Sequence, residues 1–390
     1  LVTDGAYEFL TAPSIVEIVQ QCDGNLDRAA QQVVDQAFTN GSDDNITAQI
    51  VRVDRLPSAG ARDLQQQLRN LPLPPQIAPR MEFDGYRIVR QIHTSSRSHV
   101  YLAIDLASQL QVAIKMPSME LRSDNDYLER FLLEEWIARR IDNVHVVKPC
   151  FTERPRSYLY IVSEYISGQT LSQWMIDNPR PNLESVRNII EQVAKGLRAF
   201  HRLEMIHQDI RPDNILLDHT GTVKIIDFGS TSVSGITEIA GAALHNPIPG
   251  TAQYTAPEYF LGDPGSPTSD LFSLGVITYQ MLSGRLPYGT EIAKCRTAAA
   301  QKKLVYKSVL DDEREIPIWI DHTLKKSVHI NPYKRYSEFS EFLYDLRHPS
   351  RAFITATRPP LLERNPLMFW QLLSLILAVV VVVLSARLAG

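Results

Sequence analysis

Apolar and polar positions alternate with a period of two in YRIVRQI (residues 86–92), HVYLAID (99–105) and QVAIKM (111–116), which predicts three successive strands. The pattern then shifts to a helical period, first in FLLEEWIARRI (131–141), and helical character dominates to about residue 346 apart from a short apolar strand, VKII, at 223–226. No internal repeat interrupts this stretch, so 83–348 reads as one main domain of α+β class. Ahead of it, residues 1–55 alternate short apolar runs with a helical stretch from IVEIVQQC to AAQQVVDQAF. Between the two lies a polar segment, LPSAGARDLQQQLRNLPLPPQIAPR, whose five prolines mark residues 56–82 as a linker. After a basic segment at 349–366, the chain ends in LMFWQLLSLILAVVVVVLSARLAG.

That tail changes the picture of where the protein works. From Leu367 to Leu384 only Gln371 and Ser374 interrupt the apolar run, and at about 1.5 Å per residue it is roughly 27 Å long, near a bilayer's apolar thickness of about 30 Å. A buried core helix is the competing explanation, but such a helix keeps a polar stripe and Ala378–Leu384 has none. The expectation is a single membrane span over 367–385. Arg351, Arg358 and Arg364 precede it and only Arg387 follows, which places the main domain on the cytoplasmic side, as in a bacterial inner membrane, with Phe369 and Trp370 at the interface.

Composition narrows the function classes. With 390 residues, 44% hydrophobic and 22% charged, the chain is long enough for two or three domains and is not disordered or collagen-like. Forty basic against forty-four acidic residues give a net charge of -4, without the basic field of a nucleic-acid-binding protein. The three cysteines, Cys22, Cys150 and Cys295, are far apart and odd in number, which argues against a disulfide framework or a zinc site. No methionine opens the chain, so it is expected to begin inside a longer protein.

The chemical signal concentrates in HQDIRPDN (207–214) and in Asp227-Phe228-Gly229, thirteen residues beyond Asn214. A carboxylate, an amide five residues later and a second carboxylate beyond a short hairpin suit nucleotide-dependent phosphoryl transfer. Asp209 can accept the proton of an attacking hydroxyl, while Asn214 and Asp227 offer hard oxygen ligands to Mg²⁺. Taken singly, each of these motifs occurs by chance, and a lone His207 is more often a packed core residue. Their order and spacing together carry the argument.

In these residues the chain resembles the eukaryotic-like serine/threonine protein kinase family, whose pattern is H-R-D-L-x-x-x-N, then D-F-G, then A-P-E. The likeness extends over 83–348. Val112-Ala113-Ile114-Lys115 stands as V-A-I-K, Glu134 or Glu135 supplies the acid that pairs with Lys115, and Glu134 fits the register better. Ala256-Pro257-Glu258 closes an activation segment, Asp270 lies on the helix that anchors the catalytic loop, and Arg335 is the partner of Glu258. The resemblance implies a bilobal fold, a strand-rich small lobe over a helical large lobe, that transfers a phosphoryl group from ATP to serine or threonine on protein substrates. It further implies adenine at a hinge near Glu164, Tyr165 and Ile166, with Val100 and Ala113 around it and Ser163 as a small gatekeeper. Lys115 would contact the phosphates, Arg211 would keep a positive charge near the transferred group, and Asn214 and Asp227 would hold Mg²⁺.

Two departures from the family pattern matter. The glycine positions of the phosphate loop hold His93, Ser95 and Ser98, so the loop is expected to stand farther from phosphate or to use its serine hydroxyls. This opens the alternative of a pseudokinase that binds nucleotide or partners without transfer, although Lys115, Asp209, Asn214 and Asp227 all survive. Gln208 replaces the arginine that gathers an activation-segment phosphate, so phosphorylation of Ser230, Thr231, Ser232, Ser234, Thr237, Thr251 or Thr255 is expected to matter little.

The first segment has its own likeness. LVTDGAYEFL and TNGSDDNITAQIV each place a carboxylate, Asp4 or Asp44, at the end of an apolar run read as a strand. With these motifs it resembles the C-terminal end of metal-dependent protein phosphatases, where such carboxylates hold Mn²⁺ or Mg²⁺. Two turn aspartates in a small unrelated module are the alternative to this truncated α/β phosphatase fragment. A remnant of about 55 residues cannot close that family's sandwich, so no phosphatase activity is expected of it.

Overall fold

In the computed structural model the chain is described except at 23, 53–70, 122–123, 151–153, 234–251, 312–314, 350–352, 355–365 and 389–390. It divides into two compact units, Leu1–Leu64 and Gln65–Gly390.

The first unit holds three helices, α1 (Asp4–Tyr7), α2 (Ala12–Gln21) and α3 (Leu26–Thr39). Thr11 caps α2 and Asn25 caps α3 through side-chain oxygens that accept from the first-turn amides of Ser14 and Arg28. Ala6, Leu10, Val33 and Ala37 form a small core, joined by Val2, Ile15, Ile18, Ile46 and Ala48. The two strands expected around Asp4 and Asp44 are reduced to one antiparallel bridge, Val2 with Ala48, because the backbone turns into α1 at Asp4.

In the second unit, a five-stranded antiparallel sheet in sequential order forms the small lobe: β1 (Glu82–Phe83), β2 (Tyr86–Thr94), β3 (Ser98–Asp105), β4 (Gln111–Pro117) and β5 (Ile161–Glu164). Tyr86, Ile88, Tyr101, Ala103, Val112, Ile114, Met116, Tyr160 and Val162 alternate onto one face and make its core. Ile77 joins that core, and the Leu159 N–H donates to the Pro72 carbonyl at 3.0 Å. The second half of the expected linker is therefore part of the kinase-like unit. Its prolines cannot donate to a ladder but can still supply carbonyls and apolar surface. Helix α4 (Asn125–Arg140), capped by Asp124 on the Tyr127 N–H at 2.9 Å, crosses this lobe between β4 and β5.

The large lobe begins with β6 (Gly168–Thr170), α5 (Leu171–Asp177) and the long amphipathic α6 (Leu183–His201). Strand β6 pairs with the hairpin β8 (Ile215–Asp218) and β9 (Val223–Ile225), while β7 (Met205–Ile206) pairs with β10 (Ser232–Val233). Helix α7 (Pro267–Ser283) is apolar around nearly its whole circumference and is buried accordingly. It packs on α6 and on α9 (Ile318–Ser327); the short α8 (Ala298–Gln301) and α10 (Phe339–Arg347) complete the lobe.

The last helix, α11, runs 23 residues from Pro366 to Leu388. Among the residues described in full, no helix is long and apolar enough to cross a membrane. Within α11 the side chains at 366, 368–369, 379, 382–384 and 386–388 lie outside that description, Phe369 among them.

Candidate active site

The cleft is roofed by one face of the small-lobe sheet. Since Val112, Ile114 and Met116 enter the core, Ala113 and Lys115 face the other way. Val100 pairs with Lys115, and Ala113 pairs with Ser163, which puts all four expected residues on that face. Ile166, just past β5, packs against the large-lobe core.

Lys115 is the centre of the charge arrangement. Its Nζ donates to Glu134 Oε1 and Oε2 at 2.9 and 2.7 Å and to Asp227 Oδ1 at 3.0 Å. Burial alone would favour the neutral amine, but the charges of Asp227 and Glu134 outweigh it and hold Lys115 protonated. The pairing selects Glu134 over Glu135. Glu135, its side chain 2% exposed, is turned to the other side of α4, where Arg156 grips it with two nitrogens at 2.6 and 2.7 Å and Arg139 donates at 2.5 Å. Arg156 also donates to the Tyr160 carbonyl at 2.9 Å, so α4 is tied to the strand side of the small lobe.

The floor comes from the loop after β7 and the turn after β9. Asp270, buried on α7, accepts from the His207 and Gln208 backbone amides at 3.0 and 2.9 Å and pairs with His201 Nε2 at 2.8 Å. This holds the loop rigid while Gln208 adopts a left-handed φ of 68°. Asn214 Nδ2 donates to the Asp209 carbonyl at 2.9 Å and to its Oδ2 at 3.2 Å. Burial and the nearby Asp227 carboxylate push Asp209 up to about 7, against the opposing pull of Arg211, Asn214 and Arg97. Such a value lets Asp209 take up a proton near neutral pH. Burial would also raise Asp227, but the Lys115 charge and hydrogen bonds from Lys115 and the Gly229 amide lower it to about 2. The adjacent Phe228 is buried against Phe200 and His207, which fixes the turn.

The donor set fits a hard divalent cation. Hydrogen bonding through Nδ2 leaves the Asn214 side-chain carbonyl without a partner among the described residues, and Asp227 Oδ2 has none there either. An amide oxygen and an ionised carboxylate oxygen are ligands suited to Mg²⁺, which Asn214 and Asp227 would hold. The first unit offers less to a cation. Asp4 Oδ1 accepts from the Gly5 amide at 3.1 Å and Asp44 Oδ1 from the Asn45 amide at 2.7 Å. Among the described residues no group of three or more His, Cys, Asp or Glu side chains gathers in a metal-holding arrangement.

Several expected roles move. Ser95 does not offer its hydroxyl to a phosphate: Oγ donates to the Ser98 carbonyl at 3.2 Å and accepts from the Arg97 and Ser98 amides, closing the loop on itself. Ser98 is 8% exposed and sits in the ladder opposite Pro117. Serine competes for local backbone groups, and that competition decides its use here. Glu164 Oε1 is taken by Lys224 Nζ at 2.6 Å and by the Lys148 amide at 2.9 Å, and the Glu164 amide donates to the Lys148 carbonyl at 2.9 Å, so both its side chain and its N–H are engaged within the protein. Arg211 forks onto the exposed Asp213 at 2.6 and 3.1 Å, while its charge still acts on Asp209. Glu258 and Arg335 form the expected buried pair at 2.6 and 2.8 Å. Of the activation-segment residues, Ser234, Thr237 and Thr251 lie outside the described residues. Arg97 and Arg156 carried no signal in motif spacing, though Arg97 is the one cation between His93 and Ser98.

A two-lobed molecule with a lysine–glutamate pair across its cleft and an aspartate–asparagine–aspartate floor is a protein kinase in fold. Residues 86–346 match the protein kinase domain family, and the chain belongs to that family. It is 29% identical over 264 residues, 67% of the chain, to the serine/threonine-protein kinase PrkC of Bacillus subtilis. It is 34% identical over 208 residues, 52% of the chain, to the serine/threonine-protein kinase PknA of Corynebacterium glutamicum. The chain spans less than half the length of these relatives, 40% and 44%. The crystal structure of the Mycobacterium tuberculosis PknI kinase domain superposes with a TM-score of 0.54 at 22% identity, covering 70% of this chain and all of that one, a likeness of fold.

Proposed function

We propose that this chain transfers the terminal phosphoryl group of ATP to serine or threonine hydroxyls on protein substrates. The observation that carries the proposal is the convergence of Lys115, Glu134, Asp209, Asn214 and Asp227, with Lys115 bonded to both carboxylates of its triad. Lys115, held by Glu134, binds and orients the phosphates; Asp209 takes the proton of the attacking hydroxyl; Asn214 fixes Asp209. Mg²⁺ held by Asn214 and Asp227 would neutralise charge on the transferring group. Incubation with γ-labelled ATP, Mg²⁺ and a basic protein, followed by acid hydrolysis, should yield phosphoserine or phosphothreonine. Exclusive phosphotyrosine would overturn the acceptor assignment. Nucleotide binding without any incorporation would favour the pseudokinase alternative, for which the glycine-free loop is the specific observation.

The kinase unit is held at a membrane by α11, with the large N-terminal portion on the cytoplasmic side. In support, Leu367, Trp370, Leu375, Ile376, Leu377 and Val381 are more than half exposed along this helix, a surface that calls for an apolar surrounding. The intact chain should stay in the membrane pellet after alkaline extraction and become soluble when cut after about residue 360; release of the intact chain would refute the anchor. Residues 1–55 derive from the C-terminal end of a metal-dependent phosphatase domain. In support, Thr3 and Gly5 lie against Asn45 and Thr47: the Thr3 amide donates to the Thr47 carbonyl at 3.0 Å, and a Cβ on Gly5 would come within 2.9 Å of the Asn45 oxygen. The segment alone has no turnover; phosphoester hydrolysis by this chain with Mn²⁺ would contradict that.

A further inference from the structure

The loop between β2 and β3 lacks every glycine expected over a phosphate, and its Ser95 hydroxyl is spent on its own turn. Yet the loop is firmly placed. Two register shifts bend β2 just before it, between Ile88 and Arg90 and between Gln91 and His93. The Arg97 amide donates to Ser95 Oγ at 3.3 Å. The Arg97 carbonyl accepts from the Ser118 amide at 2.8 Å, just past β4, and from the Tyr127 hydroxyl on α4. The backbone of Arg97 is therefore anchored to both the strand that carries Lys115 and the helix that carries Glu134. Its side chain is exposed and has no ion-pair partner among the described residues, and its charge is felt at Asp209 on the floor of the cleft.

We propose that Arg97 clamps the terminal phosphate of the nucleotide, supplying with one guanidinium the positive field that loop amides give where glycines are present. The assignment to the terminal phosphate follows from place: the Arg97 backbone is tied to Ser118, just past the strand that carries Lys115, and to Tyr127 on the helix that carries Glu134, and Asp209, on which the Arg97 charge acts, is the proton acceptor proposed next to the group being transferred. A planar guanidinium can donate two parallel hydrogen bonds to phosphate oxygens without the close backbone approach that a Cβ forbids. The proposal rests on the phosphotransfer reading of this same cleft.

The test uses the full chain, Arg97→Ala and Arg97→Lys, titrated with MgATP, MgADP and adenosine, with kcat and KM for ATP measured alongside. A charge-assisted contact to the terminal phosphate predicts that Arg97→Ala weakens MgATP binding by about 10-fold or more while MgADP and adenosine change less than about 2-fold. Arg97→Lys should recover part of the loss, and all three proteins should melt at the same temperature because the side chain is exposed and holds no ion pair among the described residues. Equal losses for ATP and ADP, no loss for either, or a rise confined to the KM of the protein substrate would overturn the clamp while leaving the kinase reading intact. Failure of the unaltered chain to bind MgATP at all would overturn both.

Discussion

Removing the Arg156 guanidinium should cost the small lobe both stability and catalytic alignment. Glu135 is 2% exposed, and Arg156→Ala takes away two of the three cationic hydrogen bonds to it. Breaking a buried pair from one side costs about 3–5 kcal/mol, because the remaining charge stays in the interior. Arg139 keeps its 2.5 Å contact, so roughly 2–4 kcal/mol is expected. For a domain of this size that corresponds to a fall in Tm of roughly 4–7 °C. The effect has a pH signature. Burial would raise Glu135, but its arginine partners hold it below the ordinary glutamate value, so the pair contributes stability above that value and loses it as pH falls through the depressed one. The gap between unaltered and variant protein should therefore narrow in acid. Because Glu134 is the next residue on α4, loosening the helix also loosens the Lys115 pair, and kcat should fall with little change in protein-substrate KM. Differential scanning calorimetry across pH, with steady-state kinetics, reads both. The double variant Glu135→Leu/Arg156→Leu should recover most of the stability. A Tm shift under 2 °C for Arg156→Ala with unchanged turnover would show that apolar packing of Phe131 and Leu132 alone holds α4, and the reasoning would fail.

Three further outcomes follow from the same geometry. With Asp209 pushed up to about 7, kcat/KM should rise with pH through an acid limb near that value; a rate independent of pH from 5 to 8 would exclude Asp209 as the proton acceptor. Arg335→Ala leaves Glu258 buried without its guanidinium and should destabilise the large lobe by about 3–5 kcal/mol in urea denaturation, with an m-value like that of the unaltered protein. Ser163 shares the cleft face with Ala113, so the chain should accept ATP analogues enlarged on the adenine amino group, and Ser163→Phe should abolish that acceptance while ATP itself is still used.

What the sequence disclosed is what local pattern and covalent spacing can encode. Alternation at 86–92, 99–105 and 111–116 located β2, β3 and β4 to within two residues, because one face of each strand is core and the other is cleft. The fixed separations from Asp209 to Asn214 and Asp227 likewise predicted a floor that the structure assembles. Roles that depend on competition between partners were not legible. Ser95 bonds its own turn, Glu164 is claimed by Lys224, and Arg211 prefers Asp213, each because a nearer group satisfies the side chain first. The Glu135–Arg156 pair joins residues 21 apart on elements whose contact no periodicity announces. At the N-terminus, the apolar run around Asp4 looks like a strand, but Asp4 begins a helical turn packed on α3, and tertiary contact overrides the local pattern.

Asp209 is the proposed acceptor of the hydroxyl's proton, with the opposing Lys115 and Asp227 proposed to hold the nucleotide. The most direct measurement is the initial rate of labelled phosphoryl transfer from MgATP to a protein substrate by the full chain, set beside Asp209→Ala with MgATP affinity measured on both. Transfer by the unaltered chain, reduced about 100-fold or more in the variant at near-equal affinity, is the predicted result. Equal transfer by both proteins, or none by either at saturating MgATP, would contradict it.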